Sequence, residues 1–357
     1  MLKNNKGIEL LRIFSMLMII SLHFFSHGKG GNVIFGSFEY FFQLIIRSLS
    51  YVGVNCFVLI TGYFMVNKEI RVSKYINIWG QVFFYSLLSI ILAIVIPIEI
   101  SKEKIILSFF PITTNKYWFI SAYLLLMIYI PFLNIIIRNL NKKKLRKVLL
   151  LLAVVYSIVP TFLFWSKSLL TSGTDIIWFI VLYFLGAYIR KYNDFDNFFY
   201  PKAKHYIYIY IYIMFCLITF FLEFISIYIL RKFSYTREIK IFLYNNSPFI
   251  LGASIYIFLF FKRIGELYDN KINNKINNIS QVAFGVYLFH DNDIIRKYMW
   301  TKINPLSALE KGKIYYIIYY VIIIIGIYFI GFIIEWTRKI VINYIKSLTN
   351  IIRHKNN

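Results

Sequence analysis

The feature that most constrains the fold of this chain is the repetition of apolar runs long enough to cross a lipid bilayer. About 20 consecutive apolar residues span the hydrocarbon core of a membrane, and such runs recur along nearly all of the 357 residues. Charged residues make up 16% of the chain and hydrophobic residues 59%, which leaves little polar sequence for a separate soluble domain. A backbone in lipid must satisfy its own hydrogen bonds, so each run favours a helix. The sequence therefore predicts an all-α, polytopic membrane helix bundle.

Ten transmembrane helices can be placed on these runs, at 8–25, 50–66, 75–98, 117–137, 147–165, 175–190, 206–230, 244–261, 280–298 and 314–336. The seventh begins "YIYIYIYI", which alternates like a strand, but its apolar run is long and an unpaired strand edge is not tolerated in lipid. The ninth has a short apolar stretch, "VAFGVYLF", followed at once by "HDNDIIRKY". We expect one transmembrane domain over 1–340 and a short basic tail over 341–357.

The distribution of charge favours a membrane topology over nucleic-acid binding. The net charge is +24, but the basic residues lie mostly in short loops between apolar runs and do not form one soluble face. The stretch "RNLNKKKLRK" carries six basic residues, whereas the next loop has Lys167 alone. Cytoplasmic loops are enriched in Lys and Arg, so both termini are predicted to be cytoplasmic, with the tail lying against the inner leaflet of the bilayer.

The first predicted helix carries ionisable residues within the stretch "ELLRIFSMLMIISLHFF". Arg12 and His23 lie close to three full turns apart and share a helix face; Glu9 precedes Arg12 by one turn and His27 follows His23 by one turn. Ionisable groups at membrane depth are costly unless paired or hydrated, which favours a face turned towards the bundle or a wet cavity. Two structural interpretations remain open: Glu9 and Arg12 as an ion pair near the membrane surface, and His23 as a hydrogen-bonded core histidine.

A second polar group lies in "GVYLFHDNDIIRKYMW", residues 285–300. His290 ends an apolar stretch and Asp291 follows it directly. A histidine beside a carboxylate can be held in one tautomer and tuned as a general base. An interfacial loop of solvated charges is an equally good interpretation of these residues alone.

A third group follows the second predicted helix, "YVGVNCFVLITGYFMVNKEIRVSKY". Lys68, Arg71 and Lys74 cluster at the predicted inner face and suit the phosphates of a nucleotide-like cofactor, although topology charge explains them as well. Gly53 and Gly62 predict close approach between helices. No G-x-S-x-G, zinc-ligand spacing, Walker loop or G-x-G-x-x-G was recognised, so the sequence predicts no metal site.

In these stretches the chain resembles the acyltransferase 3 family of bacterial membrane acyltransferases, and it is most similar to the branch that O-acetylates capsular and other surface polysaccharides. The resemblance runs in order through "GIELLRIFSMLMIISLHFF", "VGVNCFVLITGYF", "YWFISAYLLLMIYIPFLN", "DIIWFIVLYFLGAYIRKY", "NSPFILGASIYIF" and "ISQVAFGVYLFHDN". It implies a location in the bacterial cell membrane, acetyl-CoA as the donor from the cytoplasm, and an acceptor hydroxyl on a polysaccharide or lipid-linked glycan.

The resemblance also assigns expected site residues. It places the arginine and histidine of the first-helix motif at Arg12 and His23, and the late histidine at His290. We therefore expect catalytic roles for His23, Arg12, Glu9, His290 and Asp291, and donor binding by Lys68, Arg71 and Lys74. Many members of the family carry R-x-x-R at the start of the third helix. This chain offers Arg71 and Lys74 at that spacing, and lysine lacks the bidentate fork of arginine.

Two other classes of protein use intramembrane charges. A glycan-lipid flippase or small-molecule transporter would use them as a substrate path. Inverted repeats and paired broken helices are typical of such transporters, and neither was recognised in this sequence. The third interpretation is a membrane sensor or anchor in which a former transferase site has lost its chemistry, and the arginine missing from the R-x-x-R motif keeps it open.

Overall fold

The all-α fold is confirmed by the computed structural model, which describes residues 5–27, 33–69, 71–110, 117–163, 172–192, 205–233, 240–268, 271–273 and 275–355. The described helices are α1 Lys6–His27, α2 Phe38–Ser50, α3 Val52–Met65, α4 Val72–Val95, α5 Lys102–Ser108, α6 Trp118–Asn139, α7 Lys142–Ala153, α8 Val159–Phe162, α9 Ile176–Lys191, α10 Tyr206–Lys232, α11 Pro248–Tyr268, α12 Lys275–Ser280, α13 Ala283–His290, α14 Asp293–Lys302, α15 Pro305–Glu310 and α16 Lys313–Lys355. A π-helical turn, Val154–Ile158, joins α7 to α8. The "YIYIYIYI" segment is helical, as its length predicted.

Eight helical segments within the described residues are long and apolar enough to cross a membrane. They are α1, α2 with α3, α4, α6, α7 through α8, α10, α11, and α16 as far as Ser347. The bundle is therefore that of a multi-pass membrane protein. The predicted segment 175–190 corresponds to α9, which is 16 residues long and buried along nearly its whole length.

The segment predicted as one helix over 280–298 is instead two helices, α13 and α14, that meet at Asp291 and Asn292. The break has a local cause in the sequence. The Asn292 side-chain oxygen accepts hydrogen bonds from the backbone N–H groups of Ile294 at 3.0 Å and Ile295 at 3.4 Å, which is an N-cap for α14. Tyr117 fixes the cap, since Asn292 Nδ2 donates to its hydroxyl oxygen at 2.6 Å.

Helix α1 lies at the centre of the bundle, where it contacts α2, α3, α11, α12, α13, α14 and α16. Close approach depends on the predicted glycines. A Cβ atom at Gly53 would lie 2.9 Å from the carbonyl oxygen of Ser15 in α1. A Cβ atom at Gly62 would collide with the backbone of Tyr183 in α9, and one at Gly186 with the backbone of Leu59 in α3. The prediction that Gly53 and Gly62 allow close helix contacts is confirmed.

A buried carboxylate of α16 is paired within its own helix and hydrogen-bonded to α4. Glu335 is fully buried, and it accepts hydrogen bonds from Arg338 at 2.6 and 2.8 Å and from the Tyr85 hydroxyl at 2.9 Å. The full set of donors satisfies a carboxylate that would otherwise be strongly destabilising at this depth. Helix α16 continues to Lys355, so the predicted tail from 341 extends the last helix through most of its length.

Candidate active site

Two histidines from distant parts of the chain meet where the break between α13 and α14 packs against α1. His23 Nδ1 lies 3.0 Å from His290 Nε2. His290 is fully buried, and its Nδ1 lies 2.7 Å from the carbonyl oxygen of Val286. The helix break therefore places a second imidazole directly behind the first.

The hydrogen bonds determine which nitrogen of each neutral ring carries the proton. The Val286 carbonyl oxygen can only accept, so His290 Nδ1 must be the donor in that bond. The Nε2 atom of neutral His290 is then the acceptor, and His23 Nδ1 donates to it. His23 therefore keeps its lone pair on Nε2, the nitrogen that a general base or nucleophile uses.

Asp291 adds a carboxylate to the pair of imidazoles. Its Oδ1 atom lies 3.8 Å from His23 Nδ1 and 3.9 Å from His27 Nε2, and it accepts a hydrogen bond of 3.1 Å from Arg296. Arg296 also contacts Asp293 at 3.3 Å, and Asp293 pairs with Lys104 of α5 at 2.8 Å. The 2% exposed carboxylate is thus held by a charge network and lies where it can offset positive charge on His23.

The predicted cationic group forms a second centre at the other end of α1. Arg12, Lys68 and Lys74 line one cavity, which we call the basic cavity, whereas Arg71 is exposed at the start of α4 and does not line it. Glu9 pairs with Arg12 at 3.7 Å and accepts a hydrogen bond from the Ser280 hydroxyl. Three of the four predicted basic residues are therefore brought together.

Packing holds the loop that carries Lys68 in place. The Asn134 amide nitrogen donates to the carbonyl oxygens of Met65 at 3.0 Å and Lys68 at 3.4 Å. The Tyr183 hydroxyl donates to the Asn134 carbonyl oxygen at 2.6 Å. This buried chain of hydrogen bonds orients the backbone from which Lys68 reaches the basic cavity.

His23 lines a different cavity, which we call the histidine cavity. Its wall combines aromatic, aliphatic and polar side chains, and it includes Tyr51, Trp118, Ser172, Thr174, Lys240, Tyr244, Asn245 and Tyr287. Asn55 holds one residue of this wall in place. It donates a hydrogen bond to the carbonyl oxygen of Asn245 at 2.8 Å and accepts one from the Trp178 indole at 3.1 Å. The cavity combines ring faces with hydroxyl, amide and ammonium groups.

Three phenylalanines belong to the walls of both cavities: Phe57, Phe119 and Phe284. We call them the phenylalanine partition. The rings of Phe57 and Phe119 meet edge to face with centroids 6.4 Å apart. Arg12 and His23 lie on the two sides of the partition, about 16 Å apart along α1 at 1.5 Å per residue. A polar stripe on one helix thus serves two cavities.

Sequence reasoning missed several residues of this site. It noted His27 on the polar face but gave it no role, and it did not predict Ser280, Arg296 or the partition. Spacing within α1 places His27 beside His23, whereas Ser280 and His290, which contact Glu9 and His23, are more than 260 residues away from them in the chain. No local pattern carries that information.

The fold and the site together define a multi-pass membrane protein with a buried histidine centre and a separate cationic cavity. The family model described as an acyltransferase domain matches residues 5–336. The chain therefore belongs to the acyltransferase 3 family, as the resemblance predicted, and it is a membrane acyltransferase. Comparisons with curated proteins and with solved structures found no match.

Proposed function

We propose that the protein is an integral membrane O-acetyltransferase that transfers an acetyl group from acetyl-CoA to a hydroxyl of a cell-surface polysaccharide or its lipid-linked precursor. The observation that carries the proposal is the placement of His23, with its Nδ1 held by His290, on the far side of a partition from a cavity with three cations. The first centre suits a base and the second suits a polyphosphate donor.

The basic cavity is the proposed site for the phosphates of acetyl-CoA. Arg12, Lys68 and Lys74 supply charge-assisted hydrogen bonds to phosphate oxygens. Glu9, fixed by Ser280, orients Arg12. The pantetheine arm of CoA, when extended, is of the same order of length as the rise of α1 between Arg12 and His23, so the thioester reaches the partition while the phosphates stay with the cations.

The histidine cavity is the proposed acceptor site. Aromatic faces such as those of Tyr51 and Trp118 suit the C–H faces of sugar rings, and the hydroxyl and amide groups of the wall suit sugar hydroxyls. An acceptor hydroxyl there lies beside His23. This combination of surfaces supports a glycan as the acceptor.

In the proposed reaction, the acceptor hydroxyl gives its proton to Nε2 of His23 while its oxygen forms a bond to the thioester carbonyl carbon. The carbon–sulfur bond then breaks, the thiolate of CoA leaves, and the imidazolium of His23 returns the proton to it. Asp291 offsets the positive charge of the intermediate imidazolium. His290 is buried and acts as a positioning residue through its hydrogen bond to His23. The same Nε2 lone pair would serve if His23 carries the acetyl group transiently.

The test uses purified protein in detergent, radiolabelled acetyl-CoA and a panel of surface glycans and lipid-linked precursors. We expect label in the glycan with wild type, a loss of at least about 100-fold with His23→Ala because its general base is removed, and wild-type transfer with His205→Ala as the matched control. Arg12→Ala should weaken transfer chiefly through the donor.

Two results would contradict the proposal. Absence of label transfer by folded wild type to every glycan would refute the activity and favour a transporter. Equal transfer by wild type and His23→Ala would refute the assigned base.

A further measurement separates the two roles of His23. If labelled acetyl stays on wild-type protein in the absence of acceptor, and does not stay on His23→Ala, His23 carries the acetyl group transiently.

A further inference from the structure

His23 and His27 are four residues apart on α1 and face the same carboxylate. Residues at i and i+4 of a helix lie on one face, and two histidines at this spacing are a recurrent zinc-binding arrangement. One nitrogen from each histidine and one oxygen of Asp291 all lie within 4.8 Å of one another. The third group comes from the break between α13 and α14, on the other side of the site.

The distances between these nitrogen and oxygen atoms are close to those between the ligand atoms of a bound zinc ion. A tetrahedral zinc ion with bonds of about 2.1 Å holds its ligand atoms about 3.4 Å apart. Asp291 Oδ1 lies 3.8 Å from His23 Nδ1 and 3.9 Å from His27 Nε2. Each of these two separations exceeds the zinc value by about 0.5 Å or less, and the exposed His27 side chain has room to adjust its part of the difference.

A fourth ligand lies directly beside the other three. His290 Nε2 is 3.0 Å from His23 Nδ1. The lone pair of His290 Nε2 accepts the hydrogen bond from the proton on His23 Nδ1. When that proton moves from Nδ1 to Nε2 of His23 through water in the histidine cavity, both Nδ1 of His23 and Nε2 of His290 present lone pairs. The rings stay neutral, as metal ligation requires.

We propose that His23, His27, His290 and Asp291 form a site for a divalent transition-metal ion of the zinc type, and that its occupancy inhibits the protein. Arg296 gives up Asp291 Oδ1 to the ion and keeps Asp293 as its partner. Inhibition has a defined cause: the ion fixes the His23 tautomer in which Nε2 carries a proton and no longer accepts one. This second statement rests on the proposed function, whereas the binding site does not.

Binding is tested on purified full-length protein that has been treated with a chelator and exchanged into metal-free detergent buffer. Zinc chloride is titrated by calorimetry, and cobalt(II) is titrated while its visible absorption is recorded. We expect one ion per chain in wild type and the intense visible bands of four-coordinate cobalt. His27→Ala and His27→Gln should each bind zinc about tenfold or more weakly, since one ligand is lost. His205→Ala is the matched control and should bind as wild type does.

Two results overturn the site. One is equal zinc affinity in wild type and both His27 variants, and the other is no zinc binding by wild type that elutes as a folded, monodisperse species. The inhibition is read from zinc dose curves of acetyl transfer, which should shift to about tenfold higher zinc in His27→Ala. Unchanged dose curves beside weakened binding would refute the inhibitory role. If metal-free wild type transfers no label, the proposed function fails while calorimetry still decides the site.

Discussion

The hydrogen bond between His23 and His290 gives the sharpest prediction for the chemistry. His290→Ala removes the acceptor that holds Nδ1 of His23, at a fully buried position 3.0 Å away. A buried donor left without its partner costs about 1–3 kcal/mol, and the cost falls on the reactive tautomer of His23, the one with its proton on Nδ1, and not on the tautomer with its proton on Nε2. Each 1.36 kcal/mol corresponds to a factor of ten in rate. We therefore expect kcat to fall by about one to two orders of magnitude.

The assay is steady-state transfer of labelled acetyl to the acceptor, with donor and acceptor varied in turn. The KM for the donor should stay near the wild-type value, because the cations proposed to bind the donor line the basic cavity and His290 does not. His290→Gln places an amide oxygen near the lost Nε2 and should recover part of kcat. Wild-type kcat in folded His290→Ala would refute the reasoning, as would a variant whose only change is in the donor KM.

Three further predictions concern the cavities and the packing. Lys74→Met should raise the donor KM about five- to tenfold, because one charge-assisted contact is lost. Arg71→Met is the control and should leave the donor KM nearly unchanged. The reverse result would show that the donor does not bind in the basic cavity. Phe119→Ala opens the partition and should increase release of free CoA without acceptor, measured with a thiol reagent, and an unchanged rate would show that the partition does not exclude water. Gly62→Ala should destabilise the protein by at least about 2 kcal/mol because its Cβ meets the α9 backbone. Gly326→Ala has open space around it and should retain the wild-type melting temperature in detergent. Equal melting temperatures for the two variants would refute the packing argument.

The helical fold and one face of the site were predictable because their signals are local. Apolar run length gave the membrane helices, including the one that begins at Tyr206 despite its strand-like alternation. Helical spacing alone predicted that Glu9, Arg12 and His23 share a face of α1, and the structure confirms that these side chains line cavities.

The partners of that face were not predictable from spacing. Ser280, which holds Glu9, and His290, which holds His23, approach α1 through tertiary packing of a helix pair far along the chain. The break between α13 and α14 has a local signal in Asn292, but the apolar run around it favoured a single helix. Lys68, Arg71 and Lys74 were indistinguishable by sequence, whereas in the structure Lys68 and Lys74 line the basic cavity and Arg71 does not.

The phenylalanine partition also affects whether ions can leak through the protein across a membrane that holds an electrical potential. The basic cavity and the histidine cavity are lined by residues from opposite ends of α1, and a continuous wet path between them would let a transmembrane potential discharge. Three hydrocarbon rings between the cavities act as an electrical insulator, since an ion must shed its hydration to pass them. In the proposed reaction, the acetyl group on the neutral arm of CoA carries no charge and meets no such barrier. The same rings that separate Arg12 from His23 would therefore let a chemical group cross while charge is retained.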